Sequence, residues 1–507
     1  MRGALRGRTA TIPPMVEVRV SGGMVRGAME SGVAVFRGIP FAAPPVGDLR
    51  FAAPQPAAAW DGVRDALAFG PPPPQPGAFG MDQVGIAGDD WLTVNVWSPD
   101  PSANLPVMVW IQGGAYIFGT SGLAEYDGAR LAQDGVVVVT FNYRVGIEGF
   151  ALVEGTPANR GLLDQVAALE WVRDNIGAFG GDPGRVTIFG QSAGGGSVAA
   201  LLAMPRAAGL FHRAVASSVP GPFFTPELAS DITAACAAEL GVRPAELSTV
   251  DPELLPAVVD ELMAKIGQFA GRWGQTAHKQ IPFAPVVDGD VLPVTPWEAV
   301  AAGAAKDIAL VVGHTRHEQR VLTLIEGMLG QVTDQQAATA LDIFAPGPDG
   351  ARRYRESFPD AGPDELYDLV CSDWVFRMPS LRLAEAQVAA GGRAHVYVLA
   401  WEAPGMGGAL GACHGLDVPL VFGNLDRGQP AVLIGEDTSA AAEVSDRMRR
   451  AWTGFALTGD PGWPVYSDDR LTRVFGDVDE VTAYPEERSR RIWEDHPFHA
   501  LGIPAAG

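Results

Sequence analysis

Short runs of β-branched and aromatic residues recur along the chain at 107–111, 136–143, 186–189, 214–219, 308–312 and 395–399, each closed by glycine or polar residues. Such runs predict strands. Several lack polar alternation, among them VVVVTF at 136–141 and ALVV at 309–312. A strand that is apolar throughout is buried on both faces, as in a parallel sheet covered by helices. Between the second and third runs, Leu162, Val166, Leu169, Val172 and Ile176 recur at three- and four-residue spacing, and Gly177 follows the last. That period predicts a helix with one apolar face, ending at the glycine. Strand, helix, strand is a βαβ unit, so the fold class is α/β, with a mostly parallel central sheet flanked by helices.

Residues 226–275 and 331–365 read as helical and poor in strand runs, which makes them insertions over the edge of the sheet. No internal repeat and no inter-domain linker is visible; the proline tract 71–74 is too short. Residues 16–500 are therefore expected to form a single domain, and 1–15 a disordered N-terminal extension, with Met15 as an alternative start.

Composition narrows the function classes. Of 507 residues, 47% are hydrophobic and 19% charged, which is ordinary globular usage. The formal net charge is −22. A surface this acidic repels phosphate backbones and anionic lipid, so neither a nucleic-acid nor a membrane partner is expected. Three cysteines, Cys236, Cys371 and Cys413, make no disulfide framework and no C-x-x-C pair. With no apolar stretch of signal-peptide or membrane-span length, the expected location is cytoplasmic, secretion being the alternative.

The sharpest local signal is Gly190-Gln191-Ser192-Ala193-Gly194, directly after the strand run 186–189 and before a helical run reaching Leu202. A serine alcohol is a poor nucleophile until a base takes its proton, and it must project where base and substrate both reach it. A tight strand-to-helix turn does this, and the flanking glycines remove side chains that would clash. The helix that starts there aims its positive end at developing negative charge. Gln112-Gly113-Gly114-Ala115 follows the run 107–111, where successive small residues let backbone N–H groups converge on an oxyanion. The same stretch mimics a phosphate loop from Gly114 to Ser121, but Thr120 stands where that loop needs lysine.

Beyond these two motifs the chain resembles the type-B carboxylesterase and cholinesterase family of α/β-hydrolases over nearly its whole length. The segments that carry the likeness are FRGIPFAAPPVGDLRF (36–51), TVNVW (93–97), FNYRVG (141–146), GLLDQVAALEWVRDNIGAFGGDP (161–183), VTIFGQSAGG (186–195), GLFHRAV (209–215) and WPVY (463–466). The resemblance implies an α/β-hydrolase fold and a serine carboxylic ester hydrolase. It also implies a catalytic set in the order Ser, acid, His: Ser192, then Glu318 in GHTRHE, then His414 in GACHGLDVPLVFGN. By the same likeness the N–H groups of Gly114, Ala115 and Ala193 form the oxyanion hole, with Gly113 and Gln191 in support. The implied substrate is an uncharged small-molecule ester that passes through an acyl-serine, with no cofactor and no metal. A non-catalytic adhesion or regulatory relative and an acyltransferase are the alternatives; the first usually lacks a triad residue, and all three positions are filled here.

Other readings of these residues are weaker. His314, His317 and Glu318 have the look of a metal cluster, but a loop after a strand offers no helix face and no third ligand. Cys413 reads as a small buried neighbour of His414, His212 as structural, and His496 and His499 as solvated. The chain also departs from the family pattern. Gln191 stands where many members have glutamate, Gln112 where a histidine is common, and Gln319 ends the acid motif differently. Pro73 and Trp91 occupy the positions of the family's N-terminal disulfide. Loss of the glutamate charge beside the serine weakens any case for cationic substrates.

Overall fold

The computed structural model describes residues 13–77 and 87–504. One sheet of 13 strands organises them. Strands β1 (Met15–Val20), β2 (Gly23–Glu30), β3 (Val33–Pro40) and a short β4 (Val63–Asp65) come first, followed by β5 (Thr93–Ser98), β6 (Leu105–Ile111) and β7 (Val137–Phe141). Then come β8 (Gly181–Gln191), β9 (Arg213–Ser217), β10 (Ala309–Thr315), β11 (Ala394–Leu399), β12 (Leu471–Phe475) and β13 (Glu480–Ala483). The spatial order is β1-β2-β3-β5-β7-β6-β8-β9-β10-β11-β12-β13, with β4 beside β2. From β7 to β12 every pairing is parallel, whereas the margins are antiparallel except for the short β4 beside β2.

All six predicted strand runs lie in that parallel centre. Their unbroken apolar character has a direct cause. Val107, Val109 and Ile111 point to one face of β6 and join one apolar core, while Met108 and Trp110 point to the other face and join a second. The helix Arg160–Asn175 covers the first core with Leu162, Val166, Leu169 and Val172. The helix Ser439–Thr458 covers the second with Met448, Trp452 and Phe455. The predicted stop at Gly177 falls two residues inside the true end: a 3-10 turn, Ile176–Phe179, carries the chain on to Gly180 (φ 77°). At 226–275 and 331–365 the structure is helical, including Pro226–Glu239, Leu255–Lys265, Asp334–Phe344 and Gly350–Ser357.

Residues 1–12 of the expected N-terminal extension lie outside the described residues. Its inner end is ordered: Met15 opens β1 opposite Ala28, and the Pro14 carbonyl accepts from Met29 N–H at 2.8 Å. At the other end Leu501 is tied to Phe223 and Thr225 by backbone hydrogen bonds. Among the described residues no helix is long and apolar enough to cross a membrane.

Candidate active site

The carboxyl ends of β6, β8, β9, β10 and β11 converge on one edge of the sheet, the edge where open α/β sheets hold their ligands. Ser192 follows β8 and heads the helix Ala193–Ala203. Its backbone sits at φ 59°, ψ −127°, a conformation costly for any residue with a Cβ. Tight packing holds it there. The Ser192 N–H donates to the Ser217 carbonyl at 3.0 Å, and Gly196 N–H donates to the Ser192 carbonyl at 2.8 Å. A Cβ on Gly190 would meet the Gly194 backbone at 2.5 Å and the Ile111 carbonyl at 2.9 Å, so glycine lets this turn press against the end of β6.

The turn after β6 abuts the serine. A Cβ on Gly113 would lie 3.1 Å from Ser192 Cβ. Gly114, Ala115 and Tyr116 follow at φ 113°, 54° and 61°, three left-handed residues in a row. The turn is pinned from both sides: Tyr143 hydroxyl donates to the Gln112 carbonyl at 2.7 Å, and Gly146 N–H to the Tyr116 carbonyl at 2.6 Å. Ala193, as first residue of its helix, has an N–H with no intrahelical acceptor.

Glu318 and His414 meet although 96 residues separate them: Nδ1 of His414 stands 2.5 Å from Oε2 of Glu318. Glu318 is not in a loop, as the sequence suggests, but is the first residue of the helix Glu318–Ile325. Its other oxygen, Oε1, accepts from Thr315 N–H at 2.8 Å and from the Ser218 hydroxyl at 2.6 Å. Burial alone would raise this carboxyl's proton affinity, but His414, Ser218 and His314 together hold it below the usual glutamate value. Gln191 completes the surroundings, its Nε2 lying 3.2 Å from His414 Nε2.

Two residues here escaped the sequence reading. Ser218, at φ 50°, follows β9 in an unremarkable VASSVP stretch. Phe376 stacks on the His414 ring with centroids 4.2 Å apart. It sits in a π-helical turn, Asp373–Arg377, spliced between the helices Pro363–Ser372 and Met378–Ala389. Pro379 explains the turn: it has no N–H to give the Val375 carbonyl four residues back, and that carbonyl accepts instead from Gly221 N–H at 2.7 Å. A proline inside a helical pattern was the available signal.

The rival histidines and cysteines go elsewhere. His314 is buried, with Nδ1 2.8 Å from the Thr315 carbonyl and Nε2 2.8 Å from the Tyr484 hydroxyl. His317 Nδ1 accepts from Ala412 N–H at 3.2 Å, so the H-x-x-H-E residues face different partners. His212 accepts from Val186 N–H, while His496 and His499 are exposed. Cys413 is buried, and burial pushes its thiol up to about 12.

Ser192, His414, Gln191, Ala193 and Gly113 to Ala115 all line one cavity of about 390 Å³, otherwise walled mainly by Ile117, Phe118, Leu123, Phe283, Val321 and other apolar side chains. A larger cavity of about 590 Å³ behind the helix Glu318–Ile325, with many charged residues in its wall, is lined by neither Ser192 nor His414.

The chain is similar to known proteins over most of its length. Residues 13–345 match the model of the carboxylesterase family. The chain is 38% identical over 492 residues to para-nitrobenzyl esterase of Bacillus subtilis, covering 92% of this chain and 96% of that protein. It is 31% identical to carboxylesterase 1E of Rattus norvegicus, covering 92% and 91%. A crystal structure of a Geobacillus stearothermophilus carboxylesterase superposes with TM-score 0.83 at 36% identity, covering 94% of this chain and 99% of that one. With the fold, the site and these likenesses in agreement, the chain belongs to the carboxylesterase family: it is a carboxylic ester hydrolase on an α/β-hydrolase fold.

Proposed function

We propose that Ser192, His414 and Glu318 are the catalytic triad of this esterase and that it cleaves uncharged small-molecule carboxylic esters through an acyl-serine. The observation that carries the assignment is the 2.5 Å contact between His414 Nδ1 and Glu318 Oε2, made by a histidine that shares its cavity with Ser192. Glu318 accepts the Nδ1 proton, which leaves the Nε2 lone pair as the base. His414 Nε2 takes the Ser192 proton as Oγ attacks the ester carbonyl carbon. The displaced carbonyl electrons settle on oxygen, where the N–H groups of Gly114, Ala115 and Ala193 receive the charge. Collapse expels the alkoxide, which collects the proton from Nε2 and leaves as the alcohol. Water, deprotonated by the same nitrogen, then attacks the acyl-serine; the carboxylic acid departs and Oγ regains its proton.

The apolar wall and Gln191, neutral beside the serine, favour uncharged esters. Residues 16–500 are read as one domain because the strands that deliver the triad all belong to one sheet. A cytoplasmic location is supported by three buried cysteines, none of them paired. The test of the triad is labelling by an organophosphonate followed by peptide mass spectrometry. A single adduct on Ser192, lost in His414→Ala, is expected; an adduct on another residue would overturn the assignment.

A further inference from the structure

One stretch of the active-site cavity departs from the otherwise apolar wall. Lys279, Gln280 and Glu326 line it beside Leu322 and Ile325. The Lys279 side chain is only 3% exposed, and its Nζ stands 3.0 Å from Glu326 Oε1. The same ammonium lies 5.3 Å from the centre of the Tyr367 ring. Tyr367 in turn donates its hydroxyl to Glu326 Oε2 at 2.9 Å, and burial, the largest influence on that phenol, keeps it protonated. Carboxylate and ring thus fix the ammonium of a residue that lines the cavity.

An ammonium carries three N–H donors and no acceptor. Glu326 accepts from one, and the ring face attracts the charge without supplying a lone pair. A cation whose side chain is this little exposed gains more from each further acceptor than a fully exposed one does. Within the cavity such an acceptor can come from a ligand. Glu326 sets its character: a carboxylate placed there would meet like charge across the pair, whereas a neutral oxygen would not.

We propose that Lys279 is a specificity residue, binding an uncharged acceptor oxygen (ether, ketone or amide) at the end of the substrate remote from the scissile bond. The preferred substrates are then esters with an apolar body and a neutral polar tail. A cavity of this volume is on the order of 10 Å across, so a body of several carbons joins Lys279 to Ser192. This inference rests on Ser192 being the nucleophile.

The test uses two ester series, para-nitrophenyl alkanoates and alkyl acetates, each with chains ending in a primary amide or in a methyl group of similar size. Wild type, Lys279→Met and Lys279→Arg are compared. In at least one series the amide-to-methyl ratio of kcat/KM falls about tenfold in Lys279→Met, through KM, as loss of one hydrogen bond to a charged group requires. Lys279→Arg retains most of the ratio, and methyl-ended esters are turned over nearly as well by all three proteins. An unchanged ratio in both series overturns the proposal, and so does an equal loss on amide- and methyl-ended esters. Wild type failing on the methyl-ended esters would instead count against the Ser192 reading.

Discussion

The side-chain nitrogen of Gln191 stands 3.2 Å from Nε2 of His414 and 3.5 Å from Nδ1. A donor on the lone-pair axis of Nε2 would be roughly 5 Å from Nδ1, so the amide lies beside or over the ring and does not take the basic lone pair. With Phe376 stacked on the imidazole and Glu318 on Nδ1, Gln191 is a third restraint on the ring that leaves the Nε2 lone pair untaken. Replacing Gln191 by Glu puts a carboxylate within about 4 Å of the base, and an opposite charge at that range favours imidazolium by about 1 pKa unit or more. The acidic limb of the kcat/KM profile for a neutral ester is therefore expected to move to higher pH by that amount. A limb that stays in place would show that the position does not couple to the base.

Asp417 is the carboxylate that could rival Glu318. It is buried three residues past His414, its Oδ2 accepts from the Tyr397 hydroxyl at 3.1 Å, and burial, reinforced by the charge of Glu318, pushes it up to about 6. Glu318, with three donors on its two oxygens, is held down instead. Glu318→Gln is expected to lower kcat by about 10³-fold or more. The one amide oxygen serves Thr315 N–H and Ser218, so the NH2 faces His414 Nδ1, which favours the wrong imidazole tautomer and removes the charge. Asp417→Asn keeps an acceptor for Tyr397 and should cost less than about tenfold. Steady-state kinetics of the two variants decide it: the reverse ranking would move the acid to Asp417.

Ser192→Ala removes only an Oγ from a turn whose shape is set by the backbone bonds to Ser217 and Gly196. Turnover of a para-nitrophenyl ester should fall at least ~10⁴-fold, with the thermal midpoint close to that of the wild type. Wild-type turnover in the variant would remove the serine from the mechanism.

His314 makes a prediction about stability. Burial, followed by the charge of Arg377, lowers it to about 4 in the folded protein. The unfolded chain takes up the same proton near pH 6.5, so between those values it binds more protons than the folded form. Stability from this residue is therefore lost as pH falls from 6.5 towards 4. Relative to His314→Gln, the wild type should lose about 2 kcal/mol between pH 7 and pH 5, read from urea unfolding at the two pH values. A constant difference would mean that His314 is protonated in the folded state.

Much of this protein is written locally. The apolar runs of β6, β7 and β8 need no neighbour to announce a doubly covered sheet, because both faces of each strand are apolar in the sequence itself. Ser192 is equally legible, since the glycines that permit its strained turn flank it directly. His414 and Glu318 were reached only through likeness to a family, for nothing in their own surroundings says that they touch. Ser218 carries no local mark, and near Phe376 only Pro379 signals that its helix is interrupted. Ser218 becomes a donor to Glu318 because β9 and β10 end side by side, and Phe376 reaches the imidazole because Pro379 forces a wide turn in a distant helix. Periodicity records which faces an element buries, so sequence determined the strands, the helices and the strained turn that carries Ser192. The partners of the imidazole depend on how strands far apart in the chain lie next to one another, and only the tertiary structure decided that.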